Sequence, residues 1–336
     1  MKDVAQSAGV SITTVSHTLN STRFVEDETR EKVFKAIKEL GYKPNILAQS
    51  LKGKGTKTIG IIISDIRENY FSEIVKSIET IANDNGYNIM LCDSEDDSTK
   101  EDLYINILLQ KGIDALIFAP VDQEKEFMWL EQADIPCVQI DRKSKCLSGD
   151  YIGIENEESS RRATEILITN GCRRIGFIGY GDEVFTMAGR FHGYEQAIQK
   201  HGLEPFVHRT VHRGESTQKI GEWLTREELD GVLCTNENLS YFTFLAAVNS
   251  GKIIPEEMKI IGYDDAKWLN LLKSPLTVIR QPTEDIGKTA VETVIERIEQ
   301  KIVHQERLIT LPCEIVVRES CGSREQKIIS ISGRRM

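Results

Sequence analysis

The 336-residue sequence contains no run of 18 apolar residues, so no segment reads as a membrane-crossing helix. Its first residues, Met1-Lys2-Asp3-Val4-Ala5-Gln6, lack the apolar stretch of a secretory leader, and a cytoplasmic location without membrane contact is the expectation. Seven cysteines (Cys92, Cys137, Cys146, Cys172, Cys234, Cys313, Cys321) occur without one Cys-x-x-Cys pair, and six histidines without a His-Glu-x-x-His. Neither set has a ligand spacing, so no metal and no cofactor are expected, and the thiols should be reduced and mostly buried. No Gly-x-Gly-x-x-Gly follows the first strand-like run, and Gly-x-x-x-x-Gly-Lys-Ser/Thr and Gly-x-Ser-x-Gly are absent. The phosphate-cradling and acyl-transfer signatures are therefore missing. Carboxylates could pair as in a hydrolase, but nothing in the sequence sets them about a scissile bond, and an enzyme is not expected.

What is present is an uneven charge distribution. The chain holds 42 Lys and Arg against 52 Asp and Glu, a net of −10. Taken alone, that acidity argues against nucleic acid. Residues 1–58 nonetheless carry ten basic and six acidic side chains, a net of +4, which leaves −14 on the rest. A basic head on an acidic body confines attraction for phosphate to the head. With 40% hydrophobic and 28% charged residues the chain can bury a sizeable core, and its length suits two or three domains.

Residues 1–45 read as three short helices. Val4, Ala5 and Ala8 form an apolar face, Gly9 breaks that helix, and Val10 packs the turn. Ser11 caps a second helix that ends near Asn20, and a third runs from around Asp27 to Leu40, closed by Gly41. Helix, glycine-centred turn, helix outlines a helix-turn-helix. On the second helix Val15 and Leu19 make the apolar stripe, opposite Ile12, Thr13, Ser16 and His17. Short polar groups suit a helix pressed into the major groove, where base edges lie close to the backbone. The same face would also serve a plain surface helix.

The pattern Lys2-Asp3-Val4-Ala5, Ala8-Gly9-Val10-Ser11, Thr14-Val15-Ser16 and Leu19-Asn20 resembles the DNA-binding signature of the LacI/GalR family of bacterial transcription regulators. The likeness continues without a gap through Arg30, Val33, Ala36, Leu40-Gly41-Tyr42, Pro44-Asn45 and Ala48-Gln49-Ser50-Leu51. It implies Ile12, Thr13 and His17 as base-reading residues, and Ser11, Thr14, Ser16 and Asn20 as phosphate contacts. His17 stands where the family usually has arginine. Arginine reads guanine with two donors and histidine offers one, so a weaker dependence on guanine at that step is expected.

Residues 46–57 form a linker. Asn45 can cap a short helix that Gly53 and Gly55 end, too short to be stable alone in water. It is expected to be disordered without DNA and helical on it. The resemblance implies paired hinge helices in the minor groove, with Leu51 as the wedge between base pairs and Ala48 one turn earlier. Lys52, Lys54 and Lys57 would add phosphate attraction. The alternative is a flexible linker with a stray leucine.

From Thr58 apolar strand-like runs alternate with amphipathic helices. The strand runs are 58–63, 87–92, 115–118 and 137–140, then 174–178, 231–234 and 259–263. The expected fold is therefore an all-α head plus an α/β core of two doubly wound parallel-sheet lobes. The expected domains are a head at 1–45, a hinge at 46–57 and an effector core at 58–336. Crossovers near 155–159, 281–284 and 311–313 divide the core into a first lobe of about 58–156 plus 284–312 and a second of about 157–281 plus 313–325. Residues 314–318 read as the final strand, returning to the second lobe. The tail beyond it is too short for sustained heptads, so a homodimer rather than a zipper-joined tetramer is expected.

Open α/β sheets bind ligands at the carboxyl ends of their strands. Polar residues gather there: Ser64, Asp65, Asn69 and Tyr70 with Phe71, then Asp141-Arg142, Arg190, Asn236-Glu237, Asp264-Asp265 and Gln281. Two such lobes describe a cleft closing on a small polar ligand. Asn69-Tyr70-Phe71, Asp141-Arg142, Arg190-x-x-Gly193-Tyr194, Gly262-Tyr263-Asp264-Asp265 and Arg280-Gln281-Pro282 resemble the same family's effector core, which is similar to periplasmic sugar-binding proteins. That resemblance implies Arg190, Asn236 and Asp264 as the main contacts to a sugar or sugar derivative, with Ser64, Phe71, Asp141 and Gln281 lining the cleft. It departs at Glu237, commonly Asp, and at Tyr70, commonly Pro. The implied function is a repressor that grips a pseudo-palindromic operator DNA as a dimer under control of a small carbohydrate-type effector. The alternative is a catabolite-control regulator whose signal is a phosphorylated carrier protein.

Overall fold

The computed structural model describes residues 1–20, 23–42, 55–181, 184–210, 216–300, 305–323, 325–331 and 334–335. The chain divides into two compact units, Met1–Thr56 and Lys57–Met336.

In the first unit, α1 (Lys2–Ala8), α2 (Ile12–Asn20) and α3 (Asp27–Glu39) close around Val4, Ala5, Val15, Val33 and Ala36. Ala8, Val10, Leu19, Ile37 and Tyr42 pack against that centre. Gly9 takes a left-handed φ of 66°, which turns the chain out of α1, and the Val10 N–H then closes on the Ala5 carbonyl. Ser11 accepts the Thr14 N–H at 3.0 Å and so caps α2. Gly41, at φ 58°, ends α3 in the same left-handed way.

The second unit holds two seven-stranded sheets. The first contains β1 (Thr58–Ile63), β2 (Asn88–Asp93), β3 (Ala115–Phe118), β4 (Cys137–Ile140), β5 (Asp150–Ile154), β11 (Leu308–Leu311) and β14 (Arg334–Arg335). Its order is β14-β11-β5-β4-β3-β1-β2, parallel except for β14. The second contains β6 (Ile175–Gly179), β7 (Phe206–Arg209), β8 (Gly231–Cys234), β9 (Lys259–Tyr263), β10 (Thr277–Arg280), β12 (Cys313–Val317) and β13 (Lys327–Ile331). Its order is β13-β12-β10-β9-β8-β6-β7, with β12 antiparallel to both of its neighbours, β10 and β13, and the other pairs parallel. The five strands β1–β5 and the five strands β6–β10 correspond in order and direction, while the next strand is parallel in the first sheet, as β11, and antiparallel in the second, as β12. The central strands are buried along nearly their whole length, as helix-covered parallel sheets require.

The chain changes lobe after β5, after β10 and after β11, where Pro312 alone separates β11 from β12. It changes again between β13 and β14. The 314–318 strand, expected to be final, is therefore followed by two more, and Ile328, Ile329 and Ile331 of the tail lie in β13. Each crossover of the first pair leads into a helix that packs closely on the receiving lobe. After β5, α7 (Asn156–Thr169) meets α8 (Phe185–Lys200) at Gly193, where a Cβ would fall 2.0 Å from the Glu157 carbonyl oxygen. After β10, α11 (Thr283–Gln300) meets α4 (Asn69–Asp84) at Gly287, where a Cβ would fall 2.8 Å from the Ile74 carbonyl oxygen. The seven cysteines are unpaired thiols, four of them buried.

Candidate functional site

In the head, Val15 and Thr18 are buried and fix α2 on the other two helices, with the Thr18 hydroxyl donating to the Thr14 carbonyl at 2.9 Å. That anchoring leaves Ser11, Ile12 and Thr13 exposed and Thr14, Ser16 and His17 partly exposed. Ile12 is 44% exposed and presents its apolar side chain on the same face as Thr13. The Ser11 and Thr14 hydroxyls pair at 2.8 Å, so both expected phosphate contacts also hold the start of the helix. The Asn20 side chain, Ala48 and Leu51 lie outside the described residues.

In the core, a cleft between the two sheets is lined by Glu68, Tyr70, Phe71, Asp141, Arg142, Tyr180, Val184, Thr186, Met187, Arg190, Asn236, Asp264 and Gln281. Six of the seven expected effector residues meet there. Ser64 does not: it is buried at the end of β1, and the wall is built instead by the first turn of α4 with Glu68 just before it. Asp141 and Asp264 follow β4 and β9, corresponding strands of the two lobes. Each adopts a left-handed φ, 60° and 68°, and each N–H bonds a neighbouring strand, at the Ile152 and Ile279 carbonyls. Asn236 caps α10 (Glu237–Asn249) by accepting the Leu239 N–H at 2.8 Å. Arg190 reaches in from α8, donating to Asn156 Oδ1 at 2.7 Å and to the Thr235 carbonyl, its guanidinium 4.0 Å above the Tyr263 ring.

Polar atoms in the cleft are mostly matched in pairs. Tyr70 donates to Asp141 Oδ1 at 3.2 Å, Gln281 Nε2 to Asp264 Oδ1 at 2.8 Å, and Arg142 to Asp96. Two buried atoms are not matched, Arg142 Nε and Gln281 Oε1. Burial raises the Asp264 carboxyl to about 6 against the pull of Arg190, and raises Asp141 against Arg142 and Arg190. Glu68 is pushed up to about 8, by desolvation first and by Asp264 second. The free space is about 40 Å³. That holds a few waters, whereas ligand pockets run to several hundred Å³, so a sugar-sized ligand requires the lobes to part.

Comparison with known proteins now decides the family. Residues 1–45 match the model described as bacterial regulatory proteins, lacI family, and 164–321 match a periplasmic binding protein-like domain. The chain is 33% identical over 330 residues to the HTH-type transcriptional repressor PurR of Vibrio vulnificus, covering 95% of this chain and 98% of that one. It is 32% identical over 327 residues to the transcriptional regulator RegA of Clostridium saccharobutylicum, with the same coverage.

The chain belongs to the lacI family.

It is a transcriptional repressor of the LacI/PurR type, and its relatives are regulators rather than enzymes. Its fold matches the lac repressor dimer crystallised on operator, at TM-score 0.80 and 24% identity over 96% of this chain and 98% of that one. Within this LacI-family core, sequence reasoning passed over Glu68, Tyr180, Val184, Thr186 and Met187. Tyr180 directly follows β6, so the strand-end rule that found Asp141 and Asp264 could have found it. Glu68 stands five residues beyond its strand and carries no such signal.

Proposed function

We propose that this repressor binds a pseudo-palindromic operator as a homodimer and is switched by a small polyhydroxylated effector held in the interlobe cleft. Ile12, Thr13 and His17 read base edges, while Ser11, Thr14, Ser16 and Asn20 set the register on phosphates. Ala48 and Leu51 enter the minor groove. Arg190, Asn236 and Asp264 hold the effector, with Phe71, Asp141 and Gln281 completing the cleft. The observation that carries this reading is the convergence of Asp141, Arg190, Asn236, Asp264 and Gln281 from both lobes around one buried space beside Phe71. Carboxylates and amides match hydroxyls, and an aromatic face matches the apolar side of a sugar ring.

Effector binding biases the separation of the lobes, and by linkage the operator and the effector alter each other's affinity by the same factor. The test selects an operator from random DNA and titrates it with and without candidate sugars, sugar acids, sugar phosphates and purines. A ligand that both raises the melting temperature and shifts operator affinity supports the reading. Absence of all small-ligand binding, with operator affinity changed by a phosphorylated carrier protein, supports the protein-signal alternative.

A further inference from the structure

We propose, resting on the effector reading above, that the effector is a polyhydroxylated molecule bearing a basic amine, an amino sugar in chemical class, whose ammonium sits between Glu68 of the first lobe and Asp264 of the second. Three carboxyls line the cleft, Glu68, Asp141 and Asp264, against two guanidiniums, Arg142 and Arg190. Arg190 is committed within the protein, and Arg142 is committed through its ion pairs although its Nε makes no hydrogen bond. Arg142 holds Asp96 and stands 3.6 Å from Asp141, and Arg190 holds Asn156 and the Thr235 carbonyl. Among the described residues neither Glu68 nor Asp264 takes part in an ion pair. A second observation points the same way. Gln281, 5% exposed, turns its Nε2 to Asp264 and leaves its buried Oε1 acceptor without a donor. The cleft therefore holds one carboxyl more than it has guanidiniums and a buried acceptor to spare, a set that a cation can engage by displacing the Glu68 proton and that a sugar acid or sugar phosphate cannot.

Placement across the lobes gives the amine a role in switching. Glu68 belongs to one lobe and its 3.4 Å contact, the Asn238 amide, to the other. Glu68 and Asp264 repel each other when ionised, so the charged pair opposes closure. Once the lobes have parted enough to admit the sugar, an ammonium between them takes the place of the Glu68 proton and ties the two lobes by an attraction to each carboxylate. The groups facing Glu68 are Asp264, Arg142, Asp96 and Asp65. With its carboxyl at about 8, Glu68 is mostly protonated at pH 7, and binding of a cation expels that proton.

The experiment uses the full chain at pH 7 with glucosamine, galactosamine and mannosamine, set against the parent hexoses, their uronic acids and their 6-phosphates. Thermal shift is followed by calorimetry in buffers of different ionisation enthalpy. One amino sugar should bind at least about tenfold tighter than its parent hexose. It should release up to about one proton per site, which the neutral hexose does not. Glu68→Gln should weaken the amino sugar by at least about tenfold and leave the parent hexose within about twofold. Equal or tighter binding of a hexose, uronic acid or hexose phosphate overturns the inference while leaving the effector reading standing. An unchanged affinity in Glu68→Gln also overturns it. Silence of the whole panel counts against both.

Discussion

The two lobes end corresponding strands on an aspartate and then diverge. Asp141 after β4 and Asp264 after β9 share a left-handed backbone and a hydrogen bond to the adjoining strand. The next residue decides what each lobe does. Arg142 turns to the cleft, where it meets Asp96 and Asp141. Asp265 turns to its own lobe, where it binds Arg280 and the buried Arg318. One lobe thus spends its second residue on the ligand space and the other on stability. The difference teaches that a duplicated fold conserves backbone geometry at the site more readily than side-chain purpose.

The largest test separates those two purposes. Asp265→Ala leaves Arg318 buried without its carboxylate and should cost about 3–5 kcal/mol in urea unfolding, with ligand affinity unchanged. Arg142→Ala should cost less, about 2 kcal/mol, because Asp96 and Asp141 can take up protons where a guanidinium cannot lose one, and it should alter ligand affinity. Equal effects of the two variants on ligand binding would break the contrast.

The next concerns pH. Burial holds Asp264 at about 6 in the folded state against 3.8 as its ordinary value. The folded protein then binds the proton more tightly, so this group favours folding at low pH. Its contribution falls as pH rises from about 4 to about 6 and is constant above, by up to about 3 kcal/mol in all. Asp264→Asn should flatten that slope when stability is measured across the window.

A smaller effect tests the shared backbone. Asp141→Ala and Asp264→Ala should each be about 1 kcal/mol less stable than the glycine variant at the same site, because only glycine adopts the left-handed φ without strain. A penalty at one position alone would mean the two strand ends are not equivalent. Smallest is Tyr70→Phe, which removes the hydroxyl supporting Asp141 and should cost about 0.5–1 kcal/mol. Gln281 gives Asp264 the matching support.

Much of the core was legible because buried parallel strands are continuous apolar runs, as in Ile61-Ile62-Ile63 and Val232-Leu233-Cys234. Strands β5, β7, β10 and β11 were passed over. They are four or five residues long and mix apolar with polar or glycine positions, as in Asp150-Tyr151-Ile152-Gly153-Ile154. The tail strands were missed because β13 is mostly exposed and pairs at a sheet edge, where burial leaves no pattern. At the site, Asp141 and Asp264 announced themselves at strand ends. Ser64 occupied an equivalent position yet stands outside the cleft wall, which the turn into α4 gives to Glu68.

The sequence by itself determined the helix-turn-helix head, whose caps, glycine turn and apolar spacing are contacts between near neighbours in the chain. It also determined the alternation of strands and helices, since each element's periodicity is local. Tertiary structure alone decided which charges face one another. Glu68 and Asp264 lie 196 positions apart, and no local pattern reports that the crossovers between the sheets bring their lobes face to face. Electrostatic repulsion depends on distance and desolvation in space, and both are fixed only when the lobes are folded and paired.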